Sequence, residues 1–340
     1  MKKFAFTSLL LGAFVSGLAS TATAAECYPY QPACCEWSLC DGAIKLGADW
    51  LYWKTTADCL PYASSFTTTP SNPGFLAEMR RHLHFQYDNG YRVVLGYELP
   101  GNKWELDAIY NYIPSSAHVK LETPDVFHYV SSSISPSHAS KLKAKWDNNL
   151  SYFDLDLSRT LTCGECFQLR PHIGFRAAWQ DYKYRVESLL LTSTEDSENV
   201  SYGRESQNFQ GYGIEGGLWA DWLIGCGLSI VGHVGGSAMY SETHAHRKTY
   251  EIDYAANGGS TEHSRNTSRA TFRTGTPTFD YFVGLEYADI FCEMEISAHI
   301  GWEQHTFFNM TQTAQLNQFN VQTASNMTVQ GLTLGLDVVF

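Results

Sequence analysis

Any chemistry in this chain has to come from paired acids, paired histidines or two clusters of cysteines. His82-Leu83-His84 and His244-Ala245-His246 each put two imidazoles on one strand face, an arrangement that can hold a metal. Neither pair has an adjacent carboxylate or cysteine at ligand spacing, so both read as solvated loop histidines and no metal site is assigned. Cys163 and Cys166 form a C-x-x-C, and Cys27, Cys34, Cys35 and Cys40 crowd a segment ahead of the first strand. Four thiolates could hold zinc, and a close pair could shuttle electrons. Gly211-Tyr212-Gly213-Ile214-Glu215-Gly216 matches G-x-G-x-x-G but lacks the parallel strand and following helix of a dinucleotide site. No serine, histidine and acid stand in a triad arrangement. The chain is expected to be no enzyme and to need no cofactor.

The elements that would position these residues are strands. In "GAIKLGADWLYW", Ile44, Leu46, Ala48, Trp50 and Tyr52 share one face, and Lys45, Gly47 and Asp49 the other. Tyr91 to Leu99 and Trp104 to Tyr112 alternate in the same way around Pro100-Gly101-Asn102, which predicts a tight hairpin. The pattern recurs on either side of Cys163-Gly164-Glu165-Cys166, of Gly225-Cys226-Gly227 and of a turn near Asp289. Pro171 interrupts one of these strands, since it removes a ladder donor. With "GLTLGLDVVF" at 331 to 340 last, about ten strands result, or twelve if the segment around "VFHYVSSSI" adds a pair.

Four connections are short, and five are long and polar: residues 54 to 84, 114 to 145, 186 to 206, 241 to 275 and 304 to 326. Their strict alternation puts all short turns at one end and all long loops at the other, the pattern of an antiparallel transmembrane β-barrel with short periplasmic turns. Aromatic residues support this over a soluble sandwich. Tyr97, Trp104, Phe167, Trp222, Tyr287 and Phe340 gather toward the short turns, and Trp50, Tyr52, Tyr110, Tyr112, Trp179, Tyr240 and Trp302 toward the long loops. Two belts at opposite strand ends suit two membrane interfaces.

The beginning of the chain supplies an address. Lys2 and Lys3, an apolar run from Phe4 to Ala19 and Ala22-Thr23-Ala24 read as a signal peptide over residues 1 to 24. A cysteine-rich periplasmic segment at 25 to 42 and a barrel at 43 to 340 follow. A formal charge of -12 argues against nucleic acid, which needs clustered Lys and Arg. Nine cysteines in an exported chain imply an oxidising compartment and at least one free or intermolecular thiol. On the barrel model Cys27, Cys34, Cys35, Cys40, Cys163, Cys166, Cys226 and Cys292 all lie toward the periplasm, so disulfides there are expected, within the chain or to other envelope proteins or further copies.

The inner face of that barrel would carry Asp49, Glu98, Glu105, Asp107, Asp154, Asp156, Glu215, Asp221, Glu286, Glu293, Glu295, Glu303 and Asp337 against Lys45, Arg92, Arg170 and Arg176. A water-filled pore so lined has negative potential and favours cations. The opposite expectation is that acids and arginines pair across a narrow lumen, and ten strands stand close to the eight whose interior side chains fill it.

Four stretches, "GADWLYWK", "NGYRVVLGYELPGNKWELDAIYNY", "LRPHIGFRAAWQDYKYRVE" and "GYGIEGGLWADW", together with Phe340, resemble the major-outer-membrane-protein-like porins of Legionella and Chlamydia-related bacteria. The resemblance implies an abundant outer-membrane porin for small hydrophilic solutes, with Phe340 as part of the signal read by the barrel assembly machinery. Together with the residues it gives the expected function: a passive, cation-preferring porin with a structural envelope role through its cysteines. A surface adhesin or disulfide-linked scaffold is the first alternative, and an outer-membrane enzyme the second.

Overall fold

The computed structural model describes residues 42–57, 61–69, 72–100, 103–122, 127–128, 141–164, 166–191, 198–254, 260–291, 294–314 and 322–340. Ten long antiparallel strands build it: β1 (Ala43–Ala57), β2 (Tyr87–Glu98), β3 (Trp104–Leu121), β4 (Lys141–Arg159), β5 (Phe167–Leu191), β6 (Glu198–Gly225), β7 (Leu228–Tyr254), β8 (Ser260–Phe291), β9 (Met294–Ala314) and β10 (Gln322–Val339). Each pairs with its sequence neighbour, and β10 returns to β1 through thirteen residue pairs from Lys45↔Val339 to Ala57↔Met327. Phe340 and Ile44 exchange backbone hydrogen bonds of 2.8 and 3.0 Å at the end of this seam. Closure matters because an open edge in hydrocarbon leaves amides and carbonyls without partners.

The predicted hairpins are present. Tyr97 pairs with Leu106 and Glu98 with Glu105 across the first short turn. Cys226 and Gly227 turn β6 into β7 with φ of 51° and 78°, the two positive angles that a tight hairpin turn requires. Pro171 acts as expected on one side. The β4 ladder stops at Ser158↔His172 and resumes at Leu161↔Leu169, so the residue without an N–H sits in the gap. Of the segment "VFHYVSSSI", the described residues Phe127–His128 add no barrel strand. Phe127–His128 instead pairs with residues 61–69, which pair with 72–82, in a separate small sheet.

Four of the five polar connections are much shorter than the sequence suggested, because strands run on into them; the one between β1 and β2 keeps nearly its expected length. On four adjacent strands the outward positions change character at one level. Outward residues of β5 run Phe167, Leu169, Pro171, Ile173, Phe175, Ala177 and Trp179, then Asp181, Lys183 and Arg185. On β6 Trp222, Leu218, Ile214 and Tyr212 give way to Gln210, Asn208 and Ser206, and on β7 Leu228 to Tyr240 give way to Glu242, His244 and His246. On β8 Tyr287, Leu285, Val283, Tyr281 and Phe279 are followed by Arg273 and Arg269. Lipid faces the apolar stretch, and the polar remainder stands in water on the extracellular side.

The inward positions change in the opposite sense. Inside the membrane band they are charged. Beyond it they form an apolar cluster of Ala57, Leu83, Ala117, Leu142, Ala144, Trp146, Tyr182 and Val186. The barrel is therefore inside-out in lipid and an ordinary half-buried β-structure above it.

Candidate functional site

Each inward residue of the membrane band comes from a strand whose alternate residues face lipid, so the period of two that satisfies the membrane also aims the charges at one another. Arg92 on β2 reaches across the lumen: Nη1 donates to Asp49 Oδ2 at 2.9 Å, Nη2 to Glu303 Oε1 at 2.5 Å and Nε to Asn111 Oδ1 at 2.7 Å. Arg176 on β5 donates from Nε and Nη2 to the two oxygens of Asp154, at 2.7 and 2.9 Å, and from Nη1 to Asp280 at 2.5 Å. Glu215 also lies 2.7 Å from its Nε. His305 joins the two groups, with Nδ1 2.9 Å from Asp280 and Nε2 2.7 Å from Glu303. A continuous polar chain thus crosses the barrel interior from β2 to β5, and its acids and arginines are buried or nearly so.

Nearer the short turns, Glu105 accepts from Lys45 at 3.0 Å and from Arg170 at 2.9 Å. His299 lies between Asp49, at 3.4 Å, and Asp337, at 3.5 Å. Among these side chains lies a cavity of about 140 Å³. It is lined by twelve of the residues singled out from the sequence: Lys45, Asp49, Arg92, Asp107, Asp154, Asp156, Arg170, Arg176, Glu215, Glu286, Glu303 and Asp337. Glu105 is buried beside it, Asp221 is half-buried, Glu98 is half-buried near the first turn, and Glu295 is exposed. Glu293 lies outside the described residues.

Sequence reasoning passed over His305, Asp280, Thr278 and Tyr152, which complete the network. A signal for two of them was available. Thr274, Thr276, Thr278 and Asp280 continue the inward face of β8 between Gly275, Pro277 and Phe279, ahead of the alternation that begins at Tyr281.

On the outer side of the charged layer the lumen is filled. Leu51, Trp53, Ile113, Leu150, Tyr152, Phe209, Met239, Phe307, Met310, Met327 and Val329 form one buried cluster contributed by strands all around the wall. Above the side chains of this septum, Asn148, Gln180 and Gln207 interlock: Gln180 Nε2 donates to Asn148 Oδ1 at 2.7 Å, and Gln207 Nε2 to the Met310 carbonyl at 2.9 Å. Trp53 ties the septum to the charged layer, donating to Thr333 Oγ1 at 3.1 Å, which donates on to Glu303 at 2.9 Å.

One expectation is corrected here. The apolar septum and the bridging arginines stand in the lumen where an open, cation-preferring pore was expected, as the small strand number allows. The cysteine-based envelope role fails. Cys163 and Cys226 are free and exposed, and no disulfide joins two described cysteines. Cys166 is disulfide-bonded. Cys27, Cys34, Cys35, Cys40 and Cys292 lie outside the described residues, as do the segments assigned to the signal peptide and the cysteine-rich periplasmic region. His82 and His84 are exposed. His244 faces outward above the membrane band, where Glu242 lies 3.3 Å from its Nε2, a carboxylate that the sequence reading had not paired with it.

Solved structures give distant likenesses. The outer membrane protease OmpT from Escherichia coli is 10% identical over 88% of this chain and 97% of its own, with a TM-score of 0.42. A major outer membrane protein from Thermus thermophilus is 13% identical over 88% and 99%, with a TM-score of 0.35. A Pseudomonas aeruginosa FadL homologue is 7% identical over 88% and 90%, with a TM-score of 0.28. None of these carries an activity over to this chain. No curated protein matches it. Residues 40–340 do match the family described as Legionella pneumophila major outer membrane protein precursor, and with nearly the whole barrel covered the chain belongs to that family.

Proposed function

We propose that the protein is an occluded outer-membrane barrel, in which a charged chamber on the periplasmic side is shut off from the exterior by an apolar septum, and solute passes only when that septum rearranges. The septum is the observation that carries this reading. Trp53, Phe307, Met310 and Met327 are fully buried in the barrel interior. An apolar constriction resists ion passage by excluding water, whatever the charges beneath it. The three methionines, Met239, Met310 and Met327, suit a movable layer, since unbranched thioether side chains repack readily.

Planar-bilayer recording on the refolded full chain tests this. Wild type is expected to be closed for most of the record. Trp53→Ala combined with Phe307→Ala should give frequent conductance steps, because two large side chains leave the constriction. Steady large conductance in wild type would overturn the septum. A folded but silent double variant would overturn gating and leave a barrel that only displays its extracellular strands. The reading gives the chain no catalytic role, and hydrolysis of fluorogenic peptides by the folded protein would overturn that part.

A further inference from the structure

Three side chains in the chamber are arranged as a metal-ligand set that the occluded-barrel reading does not use. Asp156 on β4 and Glu215 on β6 both face Gly174, the β5 residue between them. His172 lies two residues earlier on the inward face of β5. The ligand atoms of Asp156, His172 and Glu215 all fall within 4.8 Å of one another. Glycine is what makes this convergence possible. A Cβ on Gly174 would stand 2.0 Å from Asp156 Oδ1, and one on Gly217 would stand 2.7 Å from His172 Cε1.

The set also shares its one neighbouring cation with other acids. Asp156 is only 8% exposed, and its Oδ1 has no hydrogen-bond partner; His172 Nδ1 is buried without one as well. Two carboxylates brought together away from water repel unless a cation or a proton lies between them. The adjacent guanidinium of Arg176 is already shared among Asp154, Asp280 and Glu215. The surrounding cavity wall carries eight carboxylates against four lysines and arginines, with four histidines among them.

We propose that Asp156, His172 and Glu215 bind one divalent first-row transition-metal ion inside the barrel. One imidazole nitrogen and two carboxylates suit zinc or manganese, with water from the chamber in the remaining positions. Binding ties β4, β5 and β6 together at the level where Pro171 has opened the β4 ladder. The site does not depend on gating, so it stands or falls separately from the septum.

The test uses the refolded full chain in detergent, cleared of metal by chelation. Mn²⁺ is the first probe, read as loss of the free-ion electron paramagnetic resonance signal, because manganese disfavours thiolates and avoids the cysteines. Zn²⁺ after thiol alkylation is the second probe. One saturable equivalent of at least one ion is expected, weakened tenfold or more in both Asp156→Asn and His172→Gln. The His244→Gln/His246→Gln variant should bind like wild type. Barrel folding of each variant is checked by heat-modifiable gel migration, and should Asp156→Asn not fold, His172→Gln decides. Neither ion bound saturably by wild type, or unchanged affinity in His172→Gln, would overturn the proposal.

Discussion

At the scale of single residues, the interior is governed by how few cations hold many acids. Arg176 is 5% exposed and engages Asp154, Asp280 and Glu215 at once. Replacing it with methionine keeps most of the side-chain volume but leaves three buried carboxylates without their partner. Such a loss costs about 3–5 kcal/mol. The Arg176→Met variant should therefore show a clearly lowered urea midpoint in lipid vesicles, measured by tryptophan fluorescence. Arg273 makes a superficially similar contact with Glu242 at 3.0 Å, but on the outer surface above the membrane band. Water and salt screen it, so Arg273→Met should leave the midpoint where it is. An unchanged midpoint in Arg176→Met would mean that the acids protonate or rehydrate freely, and that the bridging network does not hold the barrel.

At the scale of the strand, the period of two was legible and its meaning along the whole strand was not. Alternation placed Leu106 against lipid and Asp107 in the lumen because the contrast between them is large. Further along β3, Ile113, Ala117 and Val119 alternate with Pro114, Ser116 and His118, which is the same period with the apolar face now inward. On β4, Leu142, Ala144 and Trp146 against Lys143 and Lys145 repeat this reversal. Segments such as these read as polar loops when an outward apolar face is the criterion for a strand. The reversal is the membrane boundary itself. Phe307, Met310 and His305 were hidden for the same reason, since they belong to a strand length beyond the expected end, whereas Leu51, Trp53, Ile113, Phe209 and Met239 fall outside the expected loops. The inward glycines are spaces for large neighbours. A Cβ on Gly335 would stand 2.1 Å from His299 Cε1 and 2.3 Å from Asp49 Oδ1. Gly335→Val should cost about 1–3 kcal/mol by overpacking. Gly275, where a Cβ meets nothing within 4 Å, should accept alanine with no loss of stability. Urea titration of the two variants side by side checks the contrast, and equal destabilisation would show that lumen packing is looser than the contacts imply.

At the scale of the whole molecule, everything rests on where the bilayer sits, because the same strands are built for two solvents. The lipid-facing row of β8 fixes the position sharply. Val283 is 60% exposed in the middle of the apolar stretch, and Arg273 and Arg269 occupy the same face of the same strand farther out. Its neighbour across the β7–β8 ladder repeats the pattern, with Val234 in the middle and Glu242 beyond the aromatic edge at Tyr240. An arginine at a mid-membrane, lipid-facing barrel position costs about 2–4 kcal/mol, and near or beyond the interface it costs little. Val283→Arg and Val234→Arg should each lower the folded fraction recovered from outer membranes and the urea midpoint in vesicles. Thr271→Arg, on the same face outside the band, should assemble as well as wild type. The contrast depends on the bilayer and not on the strands, so in a detergent with a short, deformable hydrophobic belt the difference between these variants should shrink. If Thr271→Arg proved as damaging as Val283→Arg, the hydrocarbon would extend past Phe279, and the extracellular strand extensions would have to be reassigned to the membrane.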